Sequence, residues 1–325
     1  MTKDSKLKLT WLVFGLFIVT GGLAFADAKH GIQISMDVCE NNQGPDCTKL
    51  PVGDDYFTND TPKVDYLFSC DPVNPSAPGS TKSKITWIDF KNKTWNFFEK
   101  YWLPKGEFSP AAGSYSESVI GNQRIIQSNN MPTGGNIGDW PMSNYSDLTA
   151  IDRNPGVPAP EDTKFSLPLN PSKAASPSCA SLGAVGIMKN GVVIYHAADA
   201  RGEDAVANEI VDEFGGHPAK SQYHYHFIPE HVDTEFLPNG HSGIVGFIID
   251  GFPIYGYLGN GGIEMTNDDL DVCHGHEHDE LGYHYHATME YPYTIGCFTG
   301  TVSVASSQQG SNSGSSRKSP PSKRR

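Results

Sequence analysis

Two tetrads of alternating tyrosine and histidine, Tyr223-His224-Tyr225-His226 and Tyr283-His284-Tyr285-His286, stand sixty positions apart. Along an extended strand successive side chains alternate faces, so both histidines of a tetrad project one way and both tyrosines the other. Neutral imidazole ligates zinc and copper, so a His-x-His pair on a rigid strand can chelate one ion. A Gly-His pair precedes each tetrad, Gly216-His217 and Gly275-His276. Each copy therefore offers three imidazoles, a set that leaves one coordination position open on zinc or copper. Raw affinity places copper(II) first and zinc second. The spacing leaves two geometries open. Each copy holds its own three-histidine site, or the two strands lie side by side and share a four-histidine or dinuclear one.

Other residues are weaker candidates. Glu230 and Glu290 each follow a tetrad by four residues, placed to accept ring N–H groups from outside the ligand set. His274 and His278 flank His276 in CHGHEHDE and read as loop residues, while His196, His231 and His241 have no repeat partner. His30 belongs to the N-terminal tail. No nucleophile elbow, HExxH or phosphate loop is present, so no catalytic residue is assigned.

The elements that must position these histidines are themselves duplicated. GAVGIMKNGVVIY (183–195) and GIVGFIIDGFPIY (243–255) share the sixty-residue offset of the tetrads. Asn190-Gly191 and Asp250-Gly251 between apolar runs are hairpin signals, and a type I′ turn is expected at each. Asp250 is read as a turn residue because Asn190 replaces it in the other copy. Residues 183–242 and 243–302 thus form two copies of one hairpin-plus-strand unit, expected to pack about a pseudo-two-fold axis. The first copy adds a helical stretch, Glu203 to Glu213. The fold class expected is mainly β with one short helix, as a sandwich or barrel. Residues 27–164 read as a β-rich and loop region, with strands expected at Val64–Phe68, Ile85–Phe90 and Lys164–Leu169, and residues 303–325 as a disordered tail.

The chain has 325 residues and a formal net charge of −13. Without a basic patch in the folded region, a nucleic-acid partner is not expected. Lys3, Lys6 and Lys8 precede an apolar run ending at Ala24-Phe25-Ala26, the pattern of a cleavable signal peptide over residues 1–26. A secreted, periplasmic or extracellular protein with no stable membrane span after cleavage is expected, and export permits disulfides. Of six cysteines, Cys39 and Cys47 are close enough to close a small loop. Cys273 and Cys297 are both absent from the first copy, as a disulfide pair would be. Cys70 and Cys179 are left unassigned.

FSLPLNPSKAASP, GAVGIMKNGVVIYHAADARGEDAVANE, GGHPAKSQYHYH, GFIIDGFPIYGY, DVCHGH and GYHYHATMEYPYTIGCFTG together resemble the YHYH domain family of exported proteins, over about Phe165 to Thr301. The resemblance implies no particular activity. Relatives often carry a cysteine just before the Gly-Gly-His-Pro stretch and another after the first tetrad. Phe214 stands at the first of these places, which implies a disulfide lost from the first copy. The expected function is metal binding for sequestration or sensing, with the metal ion as partner. The alternatives are a copper oxidoreductase or zinc hydrolase at an open three-histidine site, and a metal-free structural or glycan-binding module with an extracellular or cell-surface ligand.

Overall fold

The computed structural model describes residues 38–39, 43–106 and 113–302. The expected leader, His30 and the expected tail from 303 lie outside the described residues. The fold is mainly β. Its centre is an eight-stranded sheet made of β1 (Ala184–Met188), β2 (Val193–Tyr195), β3 (Gly216–Ala219), β4 (Gln222–Tyr225), β5 (Ile244–Ile248), β6 (Pro253–Tyr255), β7 (Gly275–His278) and β8 (Gly282–His286). Their spatial order is β3-β4-β2-β1-β5-β6-β8-β7. Each copy contributes one half in mirrored order. The halves meet at β1 and β5, which are antiparallel, with Ile187 directly opposite Phe247. The sheet is open, with β3 and β7 as its edges, so the arrangement is layered and not a closed barrel.

Both hairpins form, but not with the type I′ turn. Met188 O accepts from Gly191 N, and Ile248 O accepts from Gly251 N. Positive φ falls on the glycines, 93° at Gly191 and 94° at Gly251. This is the longer loop in which a type I turn is followed by a glycine bulge. Asn190 Oδ1 and Asp250 Oδ1 accept the N–H two residues on, from Val192 and Phe252. That local bond favours the αR turn residues over the doubly positive-φ alternative.

The helix expected at Glu203 to Glu213 is a single turn, Ala205–Asn208, capped by Asp204, whose side chain accepts from Ala207 N. All four helical residues are buried, so no amphipathic face exists to extend it. From Glu209 the chain turns extended and pairs with Leu103, which donates to Val211 O and accepts from Glu213 N. A second helix, Ser146–Ile151, was not expected. The strands read at Val64–Phe68 and Ile85–Phe90 shrink to Leu67–Phe68 and Ile88–Asp89. The third occurs as Thr163–Pro168, paired with Gln123–Ser128.

Three disulfides are present, Cys39–Cys47, Cys70–Cys179 and Cys273–Cys297. The upstream region is tied to the segment leading into the repeat by the Cys70–Cys179 bond and by a bridge from Ser69 to Ala180, and to the repeat itself by one continuous apolar core from Val38 to Phe298. No helix among the described residues is long and apolar enough to cross a membrane.

Candidate metal centres

The register explains why a Gly-His pair accompanies each tetrad. In the β3–β4 hairpin His217 stands directly opposite His224, and in the β7–β8 hairpin His276 stands opposite His284. Directly opposed residues of an antiparallel pair share a face. The one-residue difference in spacing lies in the connections. Ala219 pairs with Gln222, whereas His278 pairs with Gly282, so the second loop is one residue longer. The glycine before each histidine makes room on the opposite face. A Cβ at Gly216 would strike the Tyr223 ring at 2.3 Å, and one at Gly275 would meet the Tyr283 hydroxyl at 2.5 Å.

Pairings continue across the sheet. His224 pairs with Val193, Val193 with Ile187, Ile187 with Phe247 and Phe247 with Pro253. Ile254 pairs with Tyr285, which sets Pro253 level with His284. One transverse row therefore carries histidines at both ends, on one face. The two tetrad strands are five inter-strand steps apart, about 24 Å at ~4.8 Å per step. They do not lie side by side, so the shared-site geometry does not occur.

At one end His217, His224 and His226 bring their ring nitrogens together; at the other, His241, His276, His284 and His286 do so. Within each group the ligand atoms all lie within 4.8 Å of one another. Nε2–Nε2 distances are 3.1 Å for His224–His226 and His226–His217, 3.0 Å for His276–His284 and 3.3 Å for His286–His241. Two nitrogens each ~2.0–2.1 Å from one ion are about 2.9 Å apart at a right angle and about 3.4 Å at the tetrahedral angle. The observed spacings fall in that interval.

The other ring nitrogens fix the tautomers. His224 Nδ1 meets Gln222 O at 3.1 Å, His226 Nδ1 meets His196 O at 2.6 Å, His284 Nδ1 meets Gly282 O at 2.8 Å, His286 Nδ1 meets Gly256 O at 2.7 Å, and His241 Nδ1 meets Ser242 O at 2.7 Å. A carbonyl only accepts, so each Nδ1 carries the proton and each Nε2 presents a lone pair. His224 and His226 thus aim two lone pairs at each other, and so do His286 and His241. Burial pushes the His224 imidazole down to about 4 and that of His284 to about 3, and holds His226 and His286 well below the usual range. At neutral pH no extra proton sits between the rings. A cation is the partner this geometry fits.

The opposite face is fixed by the tyrosines. Tyr223 OH donates to Asp212 at 2.9 Å and Tyr283 OH to Asp271 at 3.2 Å. Tyr285 OH donates to Asp250 Oδ2 at 2.6 Å, while Tyr225 OH accepts from Asn190 Nδ2 at 3.1 Å. Asp250 is therefore more than a turn residue.

Several expectations change. Glu290 accepts from Asn267 N and Glu230 opens the turn Glu230–Val232; the Nδ1 positions named above belong to backbone carbonyls. The carboxylate that does face a ring is Glu209, whose Oε2 lies 3.5 Å from His217 Nδ1. His241, which has no repeat partner, completes the second group. Its one signal is positional. It immediately precedes Ser242-Gly243 at the start of the second hairpin, where the first copy has Ser181. His274 lies outside both groups and meets Thr288 Oγ1 at 3.1 Å, His278 meets Asn260, and His231 packs edge-on to Phe214.

Residues 164–267 match the family model described as YHYH protein, a span that includes the β1–β2 and β5–β6 hairpins and the first tetrad. The resemblance read from the sequence holds over that span. No curated protein and no solved structure matches the chain.

Proposed function

We propose that this chain, with its YHYH family match, is an exported metal-binding protein that holds two ions per chain, copper in preference to zinc, for sequestration or sensing. The carrying observation is the pair of facing lone pairs, His224–His226 and His286–His241, at 3.1 Å and 3.3 Å. In a buried place this arrangement is repulsive until a cation sits between the nitrogens. All-imidazole donor sets suit copper and zinc and disfavour the hard, oxygen-seeking cations. The three disulfides support an oxidising compartment outside the cytosol.

The test is elemental analysis after chelation and refilling with copper(II) or zinc. Two ions per chain are expected. A chain that refolds intact but retains neither metal at stoichiometry overturns the reading.

A further inference from the structure

The two histidine groups are not equivalent, although the strands that carry them are. The second has four imidazoles, the first three. At the sixty-residue offset the partner of His241 is Ser181, which is exposed and carries no imidazole. We propose that the first site keeps a coordination position for a small exogenous donor, neutral or anionic, while His241 closes the second. This rests on the metal-binding reading above.

The surroundings of the first site support the division. Tyr195 stacks on His224 with ring centroids 3.9 Å apart and planes 26° from parallel, which fixes that imidazole from one side. Its counterpart Tyr255 meets His284 at 4.5 Å and 50°. Glu209 faces His217 Nδ1 at 3.5 Å. At the same offset the second copy has Asp269, whose carboxylate is engaged in a capping box with Thr266. The carboxylate used for a local turn in one copy is thus turned toward a ligand ring in the other.

Lys100, from the upstream region, adds a further difference. It is fully buried, its Nζ donates to the Glu209 backbone carbonyl at 2.5 Å, and it lies over the rings of Trp87 and Trp102 at 4.8 and 5.1 Å. Burial pushes its ammonium down to about 7, against the pull of the Asp152, Asp204 and Glu209 carboxylates. His217 Nδ1 is buried without a hydrogen-bond partner and Glu209 is the carboxylate beside it; Glu209 is assigned a positioning role, closing on that nitrogen to aim Nε2 at a bound ion.

The test uses the full chain loaded with copper(II) and titrated with azide, followed by charge-transfer absorption and electron paramagnetic resonance. Wild-type protein is expected to show two bound coppers, one responsive to azide. His284→Ala/His286→Ala retains the responsive copper, and His224→Ala/His226→Ala loses it. His241→Ala opens the second site and raises the responsive count from one to two. Two bound coppers that respond equally, or neither responding, overturn the division while leaving metal binding in place. Absence of stoichiometric copper overturns the metal reading itself. Glu209→Gln is expected to weaken azide binding at the first site and leave the second unchanged. Equal change at both sites, or none at the first, removes Glu209 from the positioning role.

Discussion

Ile187 lies directly opposite Phe247, its own counterpart at the sixty-residue offset. An antiparallel pair in which a residue faces its own repeat equivalent places a local two-fold axis through that pair, perpendicular to the sheet. Such an axis preserves the face, so whatever one copy presents at its outer strands the other presents on the same side. The histidine clusters are therefore two separate sites on one face. The middle of that row is covered, with the Arg124 guanidinium 4.0 Å over the Phe247 ring.

Independence follows from that separation. His224→Ala/His226→Ala and His284→Ala/His286→Ala are each expected to lower copper stoichiometry from two to one, and the fourfold variant to abolish it. Effects at sites this far apart add. Inductively coupled plasma analysis of dialysed protein checks the counts, and loss of both ions from either double variant would contradict two sites.

The tyrosine face gives an asymmetric pair of substitutions. Asp250 is buried and accepts from Tyr285 OH at 2.6 Å, from Gly300 N at 2.9 Å and from Phe252 N at 3.2 Å. Tyr285→Phe leaves a buried carboxylate short of a donor, at a cost of about 1–3 kcal/mol. Tyr225→Phe removes only a neutral amide's contact from Asn190, and about 1 kcal/mol is expected. Urea unfolding of the two variants beside wild type measures the difference, and equal losses would be evidence against the buried-charge account.

The duplication was legible because identical spacing repeats the same physical demands. An apolar hairpin, a glycine where Tyr223 must pass, and alternating Tyr-His all leave marks in the sequence. His241 left almost none, since it comes from the segment joining the copies and reaches the second site only once β5 and β8 are placed. Glu209 was hidden inside an apparent helix. The periodicity of EDAVANEIVDE is real, but all of Ala205–Asn208 is buried and the chain past Glu209 pairs with Leu103. Tertiary pairing overrode local preference there. Glu230 and Glu290 stand at symmetric positions in the sequence, yet the Nδ1 groups of the tetrad histidines are held by carbonyls that only the fold brings near.

The disulfide Cys273–Cys297 closes a loop of 24 residues, and Cys273 lies two residues before the start of β7 and three before His276. Replacing both cysteines by alanine releases that loop in the unfolded state, with an expected loss of about 3 kcal/mol. The loosened strand also carries His276, so the second site is expected to lose metal affinity while the first keeps it. Competition with a chromophoric chelator in each double-histidine background separates the two, and an equal loss at both sites would refute a local role for the bond.

Two buried carboxylates at the shared offset, Asp204 and Glu264, each grip the upstream region. Asp204 Oδ2 accepts from Gly53 N at 2.9 Å, and Glu264 accepts from Cys39 N. Burial pushes Glu264 from 4.5 up to about 7, and Asp204 from 3.8 up to about 6. The folded chain therefore binds the Glu264 proton more tightly than the unfolded chain does. The stability this contributes is complete below pH 4.5 and is lost as pH rises through about 7. Glu264→Gln keeps the amide oxygen as an acceptor for Cys39 N and does not ionise. Relative to this variant, wild type is expected to lose stability between pH 4.5 and 7 and to change little above that range. Denaturant midpoints of the two proteins, both kept in chelator so that histidine contributions cancel, are to be compared across the interval. A difference independent of pH would mean that Glu264 is ionised in the fold throughout.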